Sequence, residues 1–425
     1  MSEINLTKTM DFESAQKYLE NFLSYENVAK IPYGSGNFDL QRVKFFLREY
    51  KVDYAKLKFV HVAGSKGKGT VSGLIANYLW KSGYKVGLYT SPDMFDVRER
   101  FWLNGKNIGK NEFASYVFDF KKFIENIDAQ GGKFNLTWFE ILTVIALKFF
   151  VDKKVDYAVL EVGLGGRLDA TNIVKPKLSV VTTVELEHVG ILGNNLSEIL
   201  NEKLGIVKKG VPALIGYQTK EGLDLVKKKL KGVSKVFYVD ELISEPDLIE
   251  GRLDTFVDKA RLLNANVALA ALVLLLKNVG LDLFLKVLKG FKLLGRFDVR
   301  KMAGKTVVFD MAHTKNSMEN LVDGLRQLFP AKKLCFLMSI MKGKDVAGML
   351  KEVAKIADKI VFSNSHVERG LPAVELAKTA KKLNLNCEIE VISDCLTAYK
   401  NLIKKNQLLV VTGSHFLVAK ILKTL

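Results

Sequence analysis

Short apolar runs recur along the chain, and longer stretches of helical spacing fill the intervals between them. The runs Phe59–Ala63, Val86–Tyr89, Tyr157–Val162, Leu178–Thr183, Val307–Phe309, Leu334–Met338, Lys359–Phe362 and Leu408–Val411 predict strands. A strand covered on both faces reads as unbroken hydrophobicity rather than as alternation. Helical periodicity marks Val71–Ser82, Thr137–Asp152, Asp258–Val279 and Ser317–Phe329. Strands and helices alternating in this order predict α/β architecture, with parallel sheets covered by helices on both faces.

At 425 residues and 48% hydrophobic, the chain is long enough for at least two cores. Only seven prolines occur, so linkers must be read from other signals. The clearest boundary is Gly290-Phe291-Lys292-Leu293-Leu294-Gly295-Arg296, which follows a long helical stretch and precedes a fresh series of strand-helix units. Residues 1–293 therefore read as one α/β domain and 294–425 as a second, smaller one.

The formal net charge of +18 comes from lysines scattered along helices, such as Lys378, Lys381 and Lys382, not from one arginine-rich tract. Such a surface attracts polyanions in general. With no nucleic-acid-binding signature and no aromatic interleaving, nucleic acid is not expected as a partner. Cys335, Cys387 and Cys395 are odd in number and lack CxxC spacing, which argues against a disulfide framework and against zinc. Met1-Ser2-Glu3-Ile4-Asn5 has no basic and apolar leader, and no apolar run reaches about 18 residues. A soluble, cytoplasmic protein with no membrane partner is the expectation.

The chemistry concentrates at strand exits. Gly64-Ser65-Lys66-Gly67-Lys68-Gly69-Thr70 leaves one apolar run and opens a helix. Backbone N–H groups, the positive helix end and Lys68 together make a phosphate cradle. The spacing fits the Walker A pattern imperfectly, because only Ser65 and Lys66 separate Gly64 from Gly67, and Gly69 stands between Lys68 and Thr70. A second glycine block, Glu161-Val162-Gly163-Leu164-Gly165-Gly166-Arg167-Leu168-Asp169-Ala170-Thr171-Asn172, places Glu161 at a strand end. That is where open parallel sheets put their ligands, and a hard carboxylate beside phosphates suits Mg²⁺. Its simpler role is a solvated or capping carboxylate.

His188 follows another strand and is either a cation ligand or a structural histidine. Ser91, in Tyr89-Thr90-Ser91-Pro92, either ligates a metal or begins a turn. Thr137-Trp138-Phe139-Glu140 has capping-box spacing. Lys203, by default, pairs with a carboxylate on a solvated helix face. Asp310 and His313 grip a nucleotide at a sheet edge or cap the next helix.

Together these residues resemble the folylpolyglutamate synthases and dihydrofolate synthases, members of the Mur ligase superfamily of ATP-dependent amide-forming enzymes. The resemblance runs from about Phe38 to the C-terminus. Its most specific part is Glu161–Asn172, joined by Thr90-Ser91-Pro92, Asp96–Arg100, Glu202–Ile206 and the Gly64–Thr70 loop with its additional glycine. It implies a P-loop NTPase-like N-terminal Mur ligase domain with a parallel-rich sheet, and a smaller Rossmann-like C-terminal domain. It also implies ligation of L-glutamate to a reduced folate or to dihydropteroate through an acyl phosphate, by a monomer.

The resemblance assigns roles as well. Gly64, Gly67, Lys68, Gly69, Thr70, Asn266, Arg296, Asp310 and His313 would bind ATP. Ser91, Glu161 and His188 would hold Mg²⁺. Lys68, Lys203 and His188 would be catalytic, with Lys203 carried as a carbamate. Thr137, Trp138, Phe139, Glu140, Leu168, Asp169 and Ala170 would line the pterin side. The chain departs from the family pattern at Ser65-Lys66 for Thr-Asn, Asp93 for His, Glu187 for Asp, Leu262-Leu263 for His-Gln, and Met311, Thr314 and Lys315 for Gly, Asn and Pro.

Overall fold

The eight apolar runs are all strands in the structure, a computed structural model that describes residues 10–24, 34, 38–129, 136–243, 249, 258–302, 304–330, 334–365, 367–405 and 408–425. Met1–Asn5 lies outside the described residues. The described chain divides into two units, one of residues up to 249 with Arg261–Phe291, the other of 258–260 with Lys292–Leu425. The sequence reading placed the division at 293/294.

In the first unit the strands are β1 (Lys58–Ala63), β2 (Val86–Tyr89), β3 (Phe101–Leu103), β4 (Lys106–Asn107), β5 (Tyr157–Glu161), β6 (Leu178–Val181), β7 (Ala213–Ile215) and β8 (Val236–Tyr238). Among the described residues they form one sheet in the order β4-β3-β2-β5-β1-β6-β7-β8. All neighbours are parallel except the β2–β3 and β3–β4 pairs. In register, Val62 of β1 stands opposite Glu161 of β5, and Ala63 opposite Val181 of β6. The carboxyl ends of the three central strands therefore deliver Gly64, Glu161 and Thr182 to one edge.

Alternate residues of β1 face two different cores. Phe59 lies with helices Leu40–Glu49, Lys110–Ala129 and Trp138–Asp152, whereas Val60 and Val62 lie with helices Lys68–Lys81, Lys259–Leu275 and Leu281–Gly290. Each fully buried Leu, Val or Phe in these layers contributes roughly 1.5–3 kcal/mol of transfer free energy. Helix Lys68–Lys81 is buried along most of its length, from Val71 to Leu79. The glycine loop that precedes it is thus anchored at both ends, by a central strand and a core helix.

The second unit holds β9 (Asp298–Met302), β10 (Lys305–Phe309), β11 (Leu334–Met338), β12 (Ala357–Phe362), β13 (Glu388–Val391) and β14 (Leu408–Thr412). Their order is β13-β12-β11-β14-β10-β9, parallel except for β9 on β10. The two edge strands escaped the sequence reading because they lack a buried run: Asp298–Met302 and Glu388–Val391 are half-exposed and rich in charge. The β3–β4 hairpin was also missed, although its turn, Asn104-Gly105 with φ of 46° and 90°, carries the usual residue pair for such a loop. Among the described residues no helix is long and apolar enough to cross a membrane.

Candidate functional site

The glycine loop is held by the exit of β6. Thr183 O accepts the N–H groups of Ser65 and Lys66 at 2.8 and 3.2 Å, and Thr182 Oγ1 donates to Lys66 O at 2.6 Å. Ser65 Oγ accepts the Glu185 N–H at 3.0 Å. Gly64 has φ of 146°, and a Cβ there would collide with Thr182 Oγ1. The helix begins at Lys68 with Gly67 as N-cap, at φ of 85° and with no side chain to cap the first turn. The first N–H groups of a helix have no intrahelical acceptor, so the turn of Lys68, Gly69 and Thr70 presents donors and a partial positive charge outward.

Gly69 therefore belongs to the helix rather than to an enlarged loop. A Cβ on it would rest 3.5 Å from Glu161 Oε2, an ordinary contact, so packing alone does not demand glycine. What glycine leaves open is the space between this helical turn and the Glu161 carboxylate.

Glu161 ends β5 and is 4% exposed. Its Oε2 accepts the Ser91 N–H at 3.2 Å, which brings together two of the three residues expected on a metal. The Glu161 carboxylate beside the open first turn fits a hard divalent cation shared with phosphates. The third, His188, stands in an exposed turn with φ of 48°. Among the described residues no three His, Cys, Asp or Glu side chains converge as a preformed cage.

Lys203 departs from its expected place on a solvated face. It is 1% exposed, and its Nζ donates to Gly64 O at 3.0 Å and to Glu187 Oε1 at 2.7 Å. Lys68 Nζ donates to the same carbonyl, at 2.9 Å. Burial lowers the Lys203 pKa from 10.5 to about 8, with Lys68 and Lys66 adding to the effect and Glu187 opposing it. Burial also works against ionisation of Glu187, but Lys203 and Lys68 outweigh it and hold this carboxyl low. An ammonium removed from water costs several kcal/mol, so a lysine placed here is a functional candidate rather than surface decoration.

The Glu161–Asn172 block is the seat of the Lys203 helix, Leu196–Leu204. A Cβ on Gly166 would come within 2.8 Å of Glu202 O and 3.0 Å of Lys203 O. Arg167 donates from its backbone to Glu202 O and from its guanidinium to Glu202 Oε1, both at 2.8 Å. Asn172 Nδ2 donates to Arg167 O and Gly205 O at 2.9 and 3.1 Å. Asp169, expected on the substrate, is instead 4% exposed and occupied by its own loop. Its carboxylate accepts the N–H groups of Gly163, Leu164 and Thr171, each at 3.0 Å.

Thr137 and Glu140 likewise turn inward. They form a reciprocal capping box at the start of the Trp138–Asp152 helix, and Glu140 also accepts Arg42 at 2.9 Å. Ala170 is buried. Of the expected pterin-side residues, Trp138, Phe139 and Leu168 keep partly exposed side chains. Trp138 lies under the guanidinium of Arg100, 4.6 Å from its ring centre, and Arg100 is ion-paired with Asp93. The residue that departs from the family pattern at position 93 thus has a local partner.

Asn266 requires a correction. It is 1% exposed, and its Nδ2 donates to Tyr217 Oη at 3.1 Å. Asn264 is the asparagine at the phosphate loop, where a Cβ on Gly67 would overlap its Oδ1. Positions two apart on a helix point about 200° apart, so only one of the pair can face the loop. The helix is buried from Ala265 to Leu272, which erased the periodicity that would have set its phase. Asn264→Ala is expected to raise the KM for ATP about tenfold, the effect of one lost contact of about 1.4 kcal/mol. Asn266→Ala should lower the thermal midpoint and leave that KM unchanged; steady-state kinetics on both variants check the assignment.

In the second unit, Asp310 follows β10 and accepts the N–H groups of Phe297 and Ala312 at 2.8 and 2.7 Å. Burial pushes its pKa up to about 6, against the opposing charge of Arg296. His313 Nδ1 lies 2.9 Å from Met311 O and so carries the proton, since a carbonyl can only accept. Thr314, which departs from the family pattern, caps the next helix through Ser317.

Comparison with known proteins agrees with this architecture. Residues 62–239 match the Mur ligase middle domain, and 295–415 match the Mur ligase glutamate ligase domain. A dihydrofolate synthase/folylpolyglutamate synthase of Buchnera aphidicola subsp. Schizaphis graminum is 31% identical over 428 residues, spanning 97% of this chain and 96% of that protein. The crystal structure of folylpolyglutamate synthase from Thermotoga maritima is 27% identical, with a TM-score of 0.79 over 97% of this chain and 96% of that one. A bifunctional folylpolyglutamate synthase/dihydrofolate synthase from Yersinia pestis, complexed with AMPPNP and a Mn ion, is 26% identical, with a TM-score of 0.80 over 100% and 99%. The chain belongs to the dihydrofolate synthase/folylpolyglutamate synthase family of Mur ligases.

Proposed function

We propose that this protein uses ATP and Mg²⁺ to join L-glutamate to the γ-carboxylate of a reduced folate, and that it also accepts dihydropteroate. The observation that carries this reading is the meeting of Lys68 and Lys203 on Gly64 O, beside an uncapped helical turn and the Glu161 carboxylate. The arrangement suits transfer of a γ-phosphoryl group to a carboxylate, a step governed by alignment and charge neutralisation.

The turn of Lys68, Gly69 and Thr70 would take the triphosphate, with Lys68 exchanging a neutral carbonyl for phosphate oxygen. Ser91 and Glu161 would hold the divalent cation, assisted by His188. When bound, that cation supplies charge neutralisation for the phosphates. Trp138, Phe139 and Leu168 would offer apolar surface to the pterin. The amine of glutamate would then displace phosphate from the acyl phosphate.

Lys203 would act as a carbamate, formed when its neutral amine adds to carbon dioxide and releases a proton. Its lowered pKa makes the neutral amine accessible near neutral pH. Incubation with ATP, Mg²⁺, L-glutamate and either tetrahydrofolate or dihydropteroate should release phosphate only when an acceptor is present, and the acceptor should gain one glutamyl unit. If neither acceptor is extended, the reading is wrong.

A further inference from the structure

β1 carries one polar side chain into the apolar layer beneath the site. His61 has no exposed surface, and by strand alternation it shares the face of Phe59, which packs in the core of the Trp138–Asp152 helix. An imidazole in such a place is costly unless it is hydrogen-bonded. Its Nε2 lies 2.8 Å from Thr171 Oγ1, while Nδ1 has no hydrogen-bond partner. Thr171, equally unexposed, donates its hydroxyl to Asp169 Oδ1.

A hydroxyl has one proton, and that proton goes to the carboxylate. Thr171 Oγ1 must therefore accept from His61, which fixes the imidazole as the neutral Nε2–H tautomer. The relay runs in one direction, from His61 through Thr171 to Asp169, whose carboxylate ties down the N–H groups of Gly163 and Leu164. Burial holds the His61 pKa down at about 3, and the charge of Lys208 adds to this, so the ring stays neutral.

Both ends of His61 lead to Lys203. Through its backbone, β1 runs three residues on to Gly64, whose carbonyl takes the Lys203 ammonium. Through its side chain, the relay fixes the turn whose Gly166 packs on the carbonyls of Glu202 and Lys203. We propose that His61 is a positioning residue for Lys203, keeping the phosphate loop and the Gly163–Gly166 turn in register through Thr171 and Asp169. The inference rests on the reading of Lys203 as part of the catalytic centre.

The test compares His61→Leu, His61→Gln and Lys203→Ala for kcat, KM for ATP and thermal midpoint. Glutamine supplies a side-chain N–H that can replace Nε2–H, and leucine does not. His61→Leu should lower kcat about tenfold or more, with a smaller rise in KM for ATP, because small displacements of a reacting group are costly. His61→Gln should recover most of kcat.

If His61→Leu does not fold, Thr171→Val against Thr171→Ser reads the same relay and should show the same order. Long-range proton–nitrogen spectra should show His61 as the Nε2–H tautomer without titration near its ordinary pKa of 6.5. The proposal is overturned by a folded His61→Leu with unchanged kcat, by a glutamine variant no better than leucine, or by a ring that titrates near that value. Full activity in Lys203→Ala would remove the reading of Lys203 itself, whereas an inactive Lys203→Ala beside a normal His61→Leu would remove only the role of His61.

Discussion

Lys203→Ala is expected to abolish glutamate ligation while the protein stays folded. The side chain is sealed from solvent and bonded to the loop carbonyl of Gly64 and to Glu187, so nothing on the surface can substitute for it. Losing one partner of a buried ion pair typically costs 3–5 kcal/mol, but Glu187 also lies in the field of Lys68, which places the cost here at about 3 kcal/mol or less. Activity should suffer far more, on the order of 10³-fold in kcat, the scale seen when a preorganised electrostatic group leaves a reaction centre. Acceptor-dependent phosphate release measures the first effect and thermal unfolding the second. Short carboxylic acids should restore part of the activity if the lysine works as a carbamate. A variant that turns over at the normal rate would return Lys203 to a structural role.

Gly64→Ala should be nearly as damaging, by a different route. The added Cβ would collide with Thr182 Oγ1, at a φ of 146° that L side chains rarely adopt. Thr182 cannot simply rotate away without breaking its hydrogen bond to Lys66 O. Relief has to come from the loop, and any shift there carries off the carbonyl on which Lys68 and Lys203 meet. A cost of about 3 kcal/mol in stability is expected for backbone strain of this kind. Nucleotide binding should be lost as well, seen as disappearance of the ADP-induced rise in thermal midpoint. Gly69→Ala is the control: its Cβ would sit 3.5 Å from Glu161, so the fold should be untouched. If Gly64→Ala binds ADP normally, the geometry assigned to the loop is mistaken.

Much of the fold was readable because buried parallel strands announce themselves locally. β1, β5 and β6 are buried and largely apolar, and the turns that follow β1 and β5 carry their glycines close together. The glycine loop and the Glu161 block were legible for the same reason. What escaped depends on neighbours distant in sequence. Whether Asp169 and Glu140 face a substrate or their own backbone is decided by which N–H groups fold back onto them, and no spacing rule states that. Asn264 could not be told from Asn266 while their helix is apolar all round. The burial of Lys203 was hidden because Leu196–Leu204 reads as an ordinary amphipathic helix with a charged end; only its docking on Gly166 shows that this end points inward.

One carbonyl oxygen holding two ammonium groups has a consequence for ligand selection. Both nitrogens bond Gly64 O, which keeps them within about 6 Å of each other, and like charges at that range repel by roughly 3 kcal/mol at an effective dielectric of 20. The Glu187 carboxylate, 2.7 Å from Lys203 Nζ, offsets one of the two charges, and an arriving anion can answer the other. While Lys203 is an ammonium, before carbamate formation, the loop therefore favours multiply charged oxyanions: sulfate and inorganic phosphate should compete with ATP more than singly charged anions such as acetate, and conversion of Lys203 to the carbamate should weaken that competition.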